Sequence, residues 1–295
     1  MKATKAILSA FVPVCVALIF TCIVRADVSY QQSLEKWRQD YEADLKKDFG
    51  WLTVSGLFFL HEGENRFGSD PLNDIVLPAG SVPATAGYFE VHAGKAVVHV
   101  NPGVKATRKG KVVEVEELGS QDGFLIGDDL TLVTHTSGDR PAIRLIDKNS
   151  RLRKEFTGLK WYPIDESYRV TAHYVPYDSP KPTEHPNILG DTIKTIFSGY
   201  VTFSLRGQTY RLEAETNKSK GLSFVFRDLT SGKESYPAAR FLDSDPPKDG
   251  AVELDFNKAH NPPCAYNPYT TCPLPVPENR LRVEIPAGEK NYKHN

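Results

Sequence analysis

Cysteine is scarce in this sequence. The chain has four, Cys15, Cys22, Cys264 and Cys272, and no two form a C-x-x-C. That spacing excludes a zinc ribbon and a thioredoxin-type redox motif. Other signatures are missing as well. There is no H-E-x-x-H, so no zincin helix, and no G-x-S-x-G nucleophile elbow. "TSGKES" has Gly-Lys but lacks the upstream glycine and the hydroxyl residue after lysine that a phosphate-cradling P-loop needs; it reads as a hairpin turn. Charge of one sign is not in excess: 36 basic residues face 37 acidic ones, a formal net of -1. This excludes a nucleic-acid surface built on bulk charge and an acidic solvating tail. No internal repeat of solenoid or propeller length occurs.

Proline and hydrophobic runs, by contrast, are concentrated in particular places. "MKATK" carries two lysines and no acid. "AILSAFVPVCVALIFTCIV" (6–24) is apolar apart from Ser9 and Thr21, and "RADVS" follows. Basic, apolar and small-residue regions in that order spell a signal peptide, residues 1–26, cleaved after Ala26 with Val24 three positions before the cut. The alternative is an N-terminal membrane anchor, since the apolar run just reaches spanning length. The expected location is periplasmic or secreted, with membrane contact only through an uncleaved signal segment. Removing 1–26 takes away Lys2, Lys5, Arg25 and no acid, so the formal charge moves to -4. It also leaves only Cys264 and Cys272.

Those two sit in "NPPCAYNPYTTCPLPVPENRL" (261–281), where the proline density forbids a helix or a central strand. In an exported chain the expectation for the pair is a disulfide, which would stabilise by about 2.5 kcal/mol in the chain-entropy model. Two alternatives stay open. One is a metal clip using His260-x3-Cys264-x7-Cys272, a spacing that fits no standard zinc site. The other is two buried thiols. No base stands near either cysteine in the sequence to make it a nucleophile.

The rest is a mostly-β pattern with one helix. "YQQSLEKWRQDYEADLKKD" places Leu34, Trp37, Tyr41 and Leu45 at helical spacing. After this helix and a connector (27–60), residues 61–150 read as short alternating strands: "DIVL", "GYFEVHA", "KAVVHV", "KVVEVEEL", "GFLIG", "LTLVTHT" and "AIRLI". Turn residues separate them, and the expected fold is a β-sandwich. Residues 151–295 add a second set: "YRVTAHYV", "TIKTIFSG", "YVTFSLRG", "QTYRLEAE", "LSFVFRD", "ESYPAARFL", "AVELDF" and "LRVEI". These predict an antiparallel barrel or curved sheet. "VPYDSPKPTEHPN" is expected as a loop between the first two.

The blocks "GWLTVSGLFFLHEGENRFGSDPLNDIVLP", "LSFVFRDLTSGKESYPAARFL", "LDFNKAHNPPCAYNPYTTCPLPVPENRL" and "IPAGEK" resemble a bacterial and archaeal domain-of-unknown-function family, number sixteen-eighty-four, across residues 34–290. The resemblance implies no activity. The family usually has an aromatic where this chain has His260, which counts against a role for that imidazole. Within the first half, "RFGSDPLNDIVLPAGSVPATAGYFEV" is similar to the forkhead-associated domain, a phosphopeptide-binding sandwich. Ser69 replaces that family's arginine, and Ser81 is followed by Val82 and Pro83 rather than by an arginine and histidine. The likeness therefore implies an FHA-like sandwich without phosphothreonine binding, because the cations that read phosphate are missing.

The second strand set carries charges inside apolar strands. Leu222, Phe224, Phe226 and Asp228 share one face of a strand, and Glu253, Asp255 and Asn257 share another. Together with Arg227, Lys233, Glu234, Arg240 and Arg280 they are candidates for a site holding a small polar or anionic ligand, or a partner, with arginines as anchors and no cofactor. Two alternatives accompany this reading. One is a hydrolase using Asp228, Glu234 or Asp255 as acid or base, with or without a metal. The other is a structural salt-bridge network with no ligand at all.

Overall fold

Apolar alternation becomes a strand wherever turn residues bracket it, and the computed structural model follows that rule along most of the chain. It describes residues 12–293, with side chains from residue 29 onward. Part of the expected signal segment, residues 1–11, therefore lies outside the described residues. One helix, α1 (Val12–Leu45), runs through both the expected cleavage point and the expected amphipathic helix. The Trp37 and Tyr41 rings, four residues apart, stack with centroids 5.5 Å apart. Among the described residues no helix is long and apolar enough to cross a membrane. Met1–Ala43 is one unit and Asp44–Asn295 another. Every strand belongs to the second unit.

The first half of that unit is a sandwich of two sheets. One holds six strands in the order β1 (Val54–Phe59), β11 (Arg140–Asp147), β10 (Leu130–Ser137), β9 (Gly123–Ile126), β6 (Ala106–Arg108) and β7 (Lys111–Val112). The other holds five: β3 (Ile75–Val76), β2 (Gly63–Gly68), β4 (Gly87–His92), β5 (Lys95–Val100) and β8 (Val115–Leu118). Inward residues of both sheets make one core that includes Phe67, Phe89, Phe124, Leu132 and Ile143. "KVVEVEEL" is split between the sheets as β7 and β8, with buried Val113 at the crossing. The connector stretch 54–59 is itself a strand, paired with β11.

The second half is a six-stranded antiparallel sheet. Its order is β16 (Arg240–Asp243), β15 (Leu222–Phe226), β14 (Gln208–Thr216), β13 (Thr192–Leu205), β12 (Arg169–Pro186) and β17 (Ala251–Asp255). One face packs Val201, Phe203, Leu212, Phe224, Phe226 and Phe256 into a second core. "TIKTIFSG" and "YVTFSLRG" are one strand, β13, because Ser198-Gly199 forms a bulge and not a turn. Only glycine fits there: a Cβ at 199 would stand 2.4 Å from the Val175 carbonyl oxygen.

Two expectations need correction. The proline-rich stretch after "YRVTAHYV" is not a loop but the outer part of β12, with a bulge between Pro176 and Lys181. Between Val175 and Glu184 this strand pairs only with β13, and among the described residues no second strand runs along its other edge, so the prolines at 176, 180 and 182 interrupt no ladder there. "LRVEI" is not a sheet strand. Residues 279–283 instead lie parallel to 227–229, through Arg227 N–H to Asn279 O (3.0 Å), Leu281 N–H to Arg227 O (2.7 Å) and Leu229 N–H to Val283 O (2.9 Å).

The proline-rich segment 261–281 stitches the two halves. The Asn267 amide donates to the Trp51 and Val54 carbonyls at 2.9 and 2.6 Å. Thr271 Oγ1 stands 2.9 Å from His135 Nε2. Ile188 N–H donates to Cys272 O, and Leu274 N–H to Pro186 O, so the segment also edges the β12–β13 hairpin. No bridge is formed within it: Cys264 and Cys272 are free thiols, with Cys264 N–H donating to Cys272 Sγ at 3.2 Å. The expected staple is replaced by hydrogen bonds, since asparagine amides and backbone groups already hold the path.

Candidate anion-binding site

The charged residues singled out in the second half divide into two groups. Arg240 and Asp228 are fully internal. Arg240 Nη1 meets Asp228 Oδ2 at 2.6 Å and donates to Ile285 O at 2.9 Å; Nη2 donates to Ala287 O. The guanidinium lies over the Phe226 ring. Asp228 Oδ1 accepts the Thr230 N–H at 2.7 Å. The Arg240 Nε has no hydrogen-bond partner among the described residues, but with both side chains at zero exposure the pair presents no surface to a ligand. Asp255 and Asn257 are equally occupied. Asp255 Oδ1 accepts from the Asn257 backbone and amide, both at 3.1 Å, and the Asn257 amide clamps Asp165 by its N–H and C=O. These four residues hold the fold. The proposed carboxylate set is not gathered either, since Glu234 sits on the surface beside Lys290 Nζ (3.2 Å) and Lys233 pairs with Glu284.

Arg227 and Arg280 are a different case. Strands β14 and β15 pair only at Glu215–Ser223 and Thr216–Leu222, then splay apart. The Asn279 side chain fills the gap. Its Oδ1 accepts the Glu213 N–H at 2.7 Å, and its amide donates to Glu213 O (3.1 Å) and Val225 O (3.0 Å). Asparagine suits this wedge because one planar group offers both an acceptor and two donors. Just past it, Arg227 and Arg280 face each other in a parallel bridge. Residues paired that way carry their side chains on the same face, about 5 Å apart.

No acid among the described residues neutralises them. Arg227 makes no side-chain hydrogen bond or ion pair there, and the Arg280 guanidinium makes only two 3.4 Å contacts to Pro275 O. Arg280 is exposed and Arg227 half-buried. Arg282, exposed two residues further on, also lacks a partner among the described residues. Like charges on directly paired positions destabilise each other unless their side chains turn apart or an anion lies between them.

A third arginine borders the splay and was not singled out by sequence reasoning, although "QTYRLEAE" shows charges alternating along a strand. Arg211 stacks on Tyr200, 3.6 Å from the ring centroid, and donates to the Tyr177 hydroxyl (2.8 Å) and to Glu213 Oε1 (2.6 Å). Glu213, with 1% exposure, also accepts from the Tyr177 hydroxyl at 2.7 Å. Burial and the adjacent carboxylate push that phenol up to about 12. Glu213 is thus spoken for by Arg211 and Tyr177 and does not quench the Arg227–Arg280 pair. A separate open depression of about 540 Å³ lies across β12, β13 and β14, lined by His173, Thr202, Thr209 and Asp249 among others. It contains none of the residues expected from sequence.

A mostly-β chain with a sandwich, a curled sheet and a proline-rich stitch between them is the class this geometry defines. The chain belongs to the family described as Protein of unknown function (DUF1684), whose model matches residues 154–290. The matched range contains the curled sheet, the stitching segment and both arginines; the sandwich, expected to share the likeness, lies outside it. The chain is also similar to an uncharacterized protein of Haloarcula marismortui solved by solution NMR. The two are 33% identical, the match covers 47% of this chain and 78% of that one, and the TM-score is 0.40. No curated protein matches the chain.

Proposed function

We propose that this is a binding module of the cell envelope that takes a small anionic ligand, or an anionic group of a partner, between Arg227 and Arg280. One observation carries the reading: two arginines are set side by side on a rigid wedge with no acid between them. An anion bridging both guanidinium groups converts their repulsion into two charge-assisted contacts. Arg282 widens the positive field, and Asn279 keeps the pair from relaxing apart. The export signal read in residues 1–26 supports a position outside the inner membrane. The hydrolase reading gains no support, because Asp228 and Asp255 are closed off inside the fold.

Thermal-shift and calorimetric titration with phosphate, sulfate, citrate and small dicarboxylates tests this. At least one polyanion is expected to bind, with Arg227→Ala and Arg280→Ala each weakening it tenfold or more while melting as the parent does. Binding that survives both substitutions would place the ligand elsewhere.

A further inference from the structure

Arg144 is a half-buried guanidinium on β11 with no carboxylate partner among the described residues. It touches the neutral His135 ring (Nη2 to Nε2, 3.3 Å) and lies over Trp51, and its Nε finds no hydrogen-bond partner among the described residues. Burial and this guanidinium together press His135 down to about 4, so the imidazole supplies no counter-charge. A buried cation needs a counter-charge. The Arg144 charge is felt by Cys272, which alone among its neighbours acts to hold it ionised.

Cys272 lies within the field of that guanidinium, and its closer neighbours act on it more strongly. Its sulfur receives the Cys264 N–H at 3.2 Å, stands 3.6 Å from Thr270 Oγ1, and has the Cys264 thiol beside it. The Cys264 thiol, Thr270, the Cys264 N–H and Arg144 all lower the Cys272 pKa against the opposing effect of burial, whereas Cys272 in turn pushes the Cys264 thiol up. A sulfur that accepts a backbone N–H and has its ionised form favoured, next to a second thiol whose ionised form is disfavoured, is the arrangement of an attacking and a resolving sulfur. With 6% exposure, Cys272 admits only a very small reagent, while Cys264 is half-exposed.

We infer that Cys272 and Cys264 form an oxidation site for small hydroperoxides, in which Cys272 is the sulfur attacked first and Cys264 resolves it. The Cys272 sulfur attacks one peroxide oxygen, an S–O bond forms, and the O–O bond breaks. The departing oxygen takes up the proton given up by the Cys272 thiol and leaves as water from hydrogen peroxide, or as an alcohol from an alkyl hydroperoxide. The Cys264 sulfur then attacks Cys272, the S–S bond forms and the S–O bond breaks. The Cys264 proton leaves with the hydroxyl as water. Two electrons pass from the two thiols to one peroxide. The pair is thus a switchable couple and not a permanent staple, and this holds independently of the anion site.

The test uses the full chain, reduced and then exposed to hydrogen peroxide, with peptide mapping to separate this pair from Cys15 and Cys22. A 264–272 disulfide is expected to form at least tenfold faster than glutathione oxidises. Cys264→Ser should trap a dimedone-reactive sulfenic acid at Cys272, and Cys272→Ser should leave Cys264 unreactive. Arg144→Gln should slow the first step, and Arg144→Lys should restore most of the rate. Oxidation no faster than that of glutathione, or equal oxidation of Cys264 in Cys272→Ser, would overturn the assignment.

Discussion

Arg240 shows what an arginine does when it is not available. Its Nη groups are spent on Asp228 Oδ2, Ile285 O and Ala287 O, all inside the second core. Removing one side of such a pair leaves a bare buried charge, at a cost of about 3–5 kcal/mol. Arg240→Ala should therefore lose that much stability in urea unfolding. The double change Arg240→Met with Asp228→Leu should recover most of it, because an apolar pair of similar volume has no charge to desolvate. If Arg240→Ala unfolds at the parent midpoint, the pair is not the internal clamp described above. The contrast with Arg227 explains why residue type alone could not rank the candidates. Both arginines follow apolar strand residues, and only the third dimension shows which one has met its acid.

Elements were legible where the signal is local. Six of the seven strands expected in the sandwich appear as single strands at about their predicted positions, because alternation and turn chemistry act over a few residues. The failures arose where the setting of a segment overrode its local composition. A proline run became the outer part of β12 because it lies at an edge, which sequence does not reveal. The Arg227–Arg280 bridge depends on Asn279 prising β14 from β15, a side-chain event with no periodicity. Asn279→Ala should leave the Glu213 N–H unpaired and cost about 2–3 kcal/mol. It should also weaken anion binding more than Arg280→Ala does, as both arginines lose their fixed spacing. Unchanged amide exchange at Glu213 and Val225 in that variant would remove the wedge from the account.

At the scale of the whole molecule, one buried acid links stability to pH. Glu289 is 1% exposed and accepts from the Asn261 N–H (2.8 Å), the Asn261 amide (2.7 Å) and the Tyr266 hydroxyl (2.6 Å). Gly288 delivers it, at a left-handed φ of 81° where a Cβ would strike the Ala259 carbonyl at 2.2 Å. Burial, opposed by those donors and by the Arg240 charge, pushes the carboxyl up to about 7. The folded state thus binds this proton more tightly than the unfolded state, whose value is near 4.5. Stability from this group is full below about pH 4.5 and falls as pH rises to about 7, by up to about 3 kcal/mol. Glu289→Gln should abolish that slope in a pH series of denaturant titrations. A parent whose stability is flat or rising from about pH 5 to 7, with no change in Glu289→Gln, would contradict it.

Asn267 ties the stitching segment to Trp51 and Val54, more than two hundred positions earlier in the chain. The order of synthesis then matters. As the polypeptide emerges, the sandwich strands are made first, but the carbonyls of Trp51 and Val54 wait for a partner synthesised more than two hundred residues later. A nascent chain halted before residue 267 carries a sandwich with an open seam, and the seam closes only once Asn267 is free to reach it.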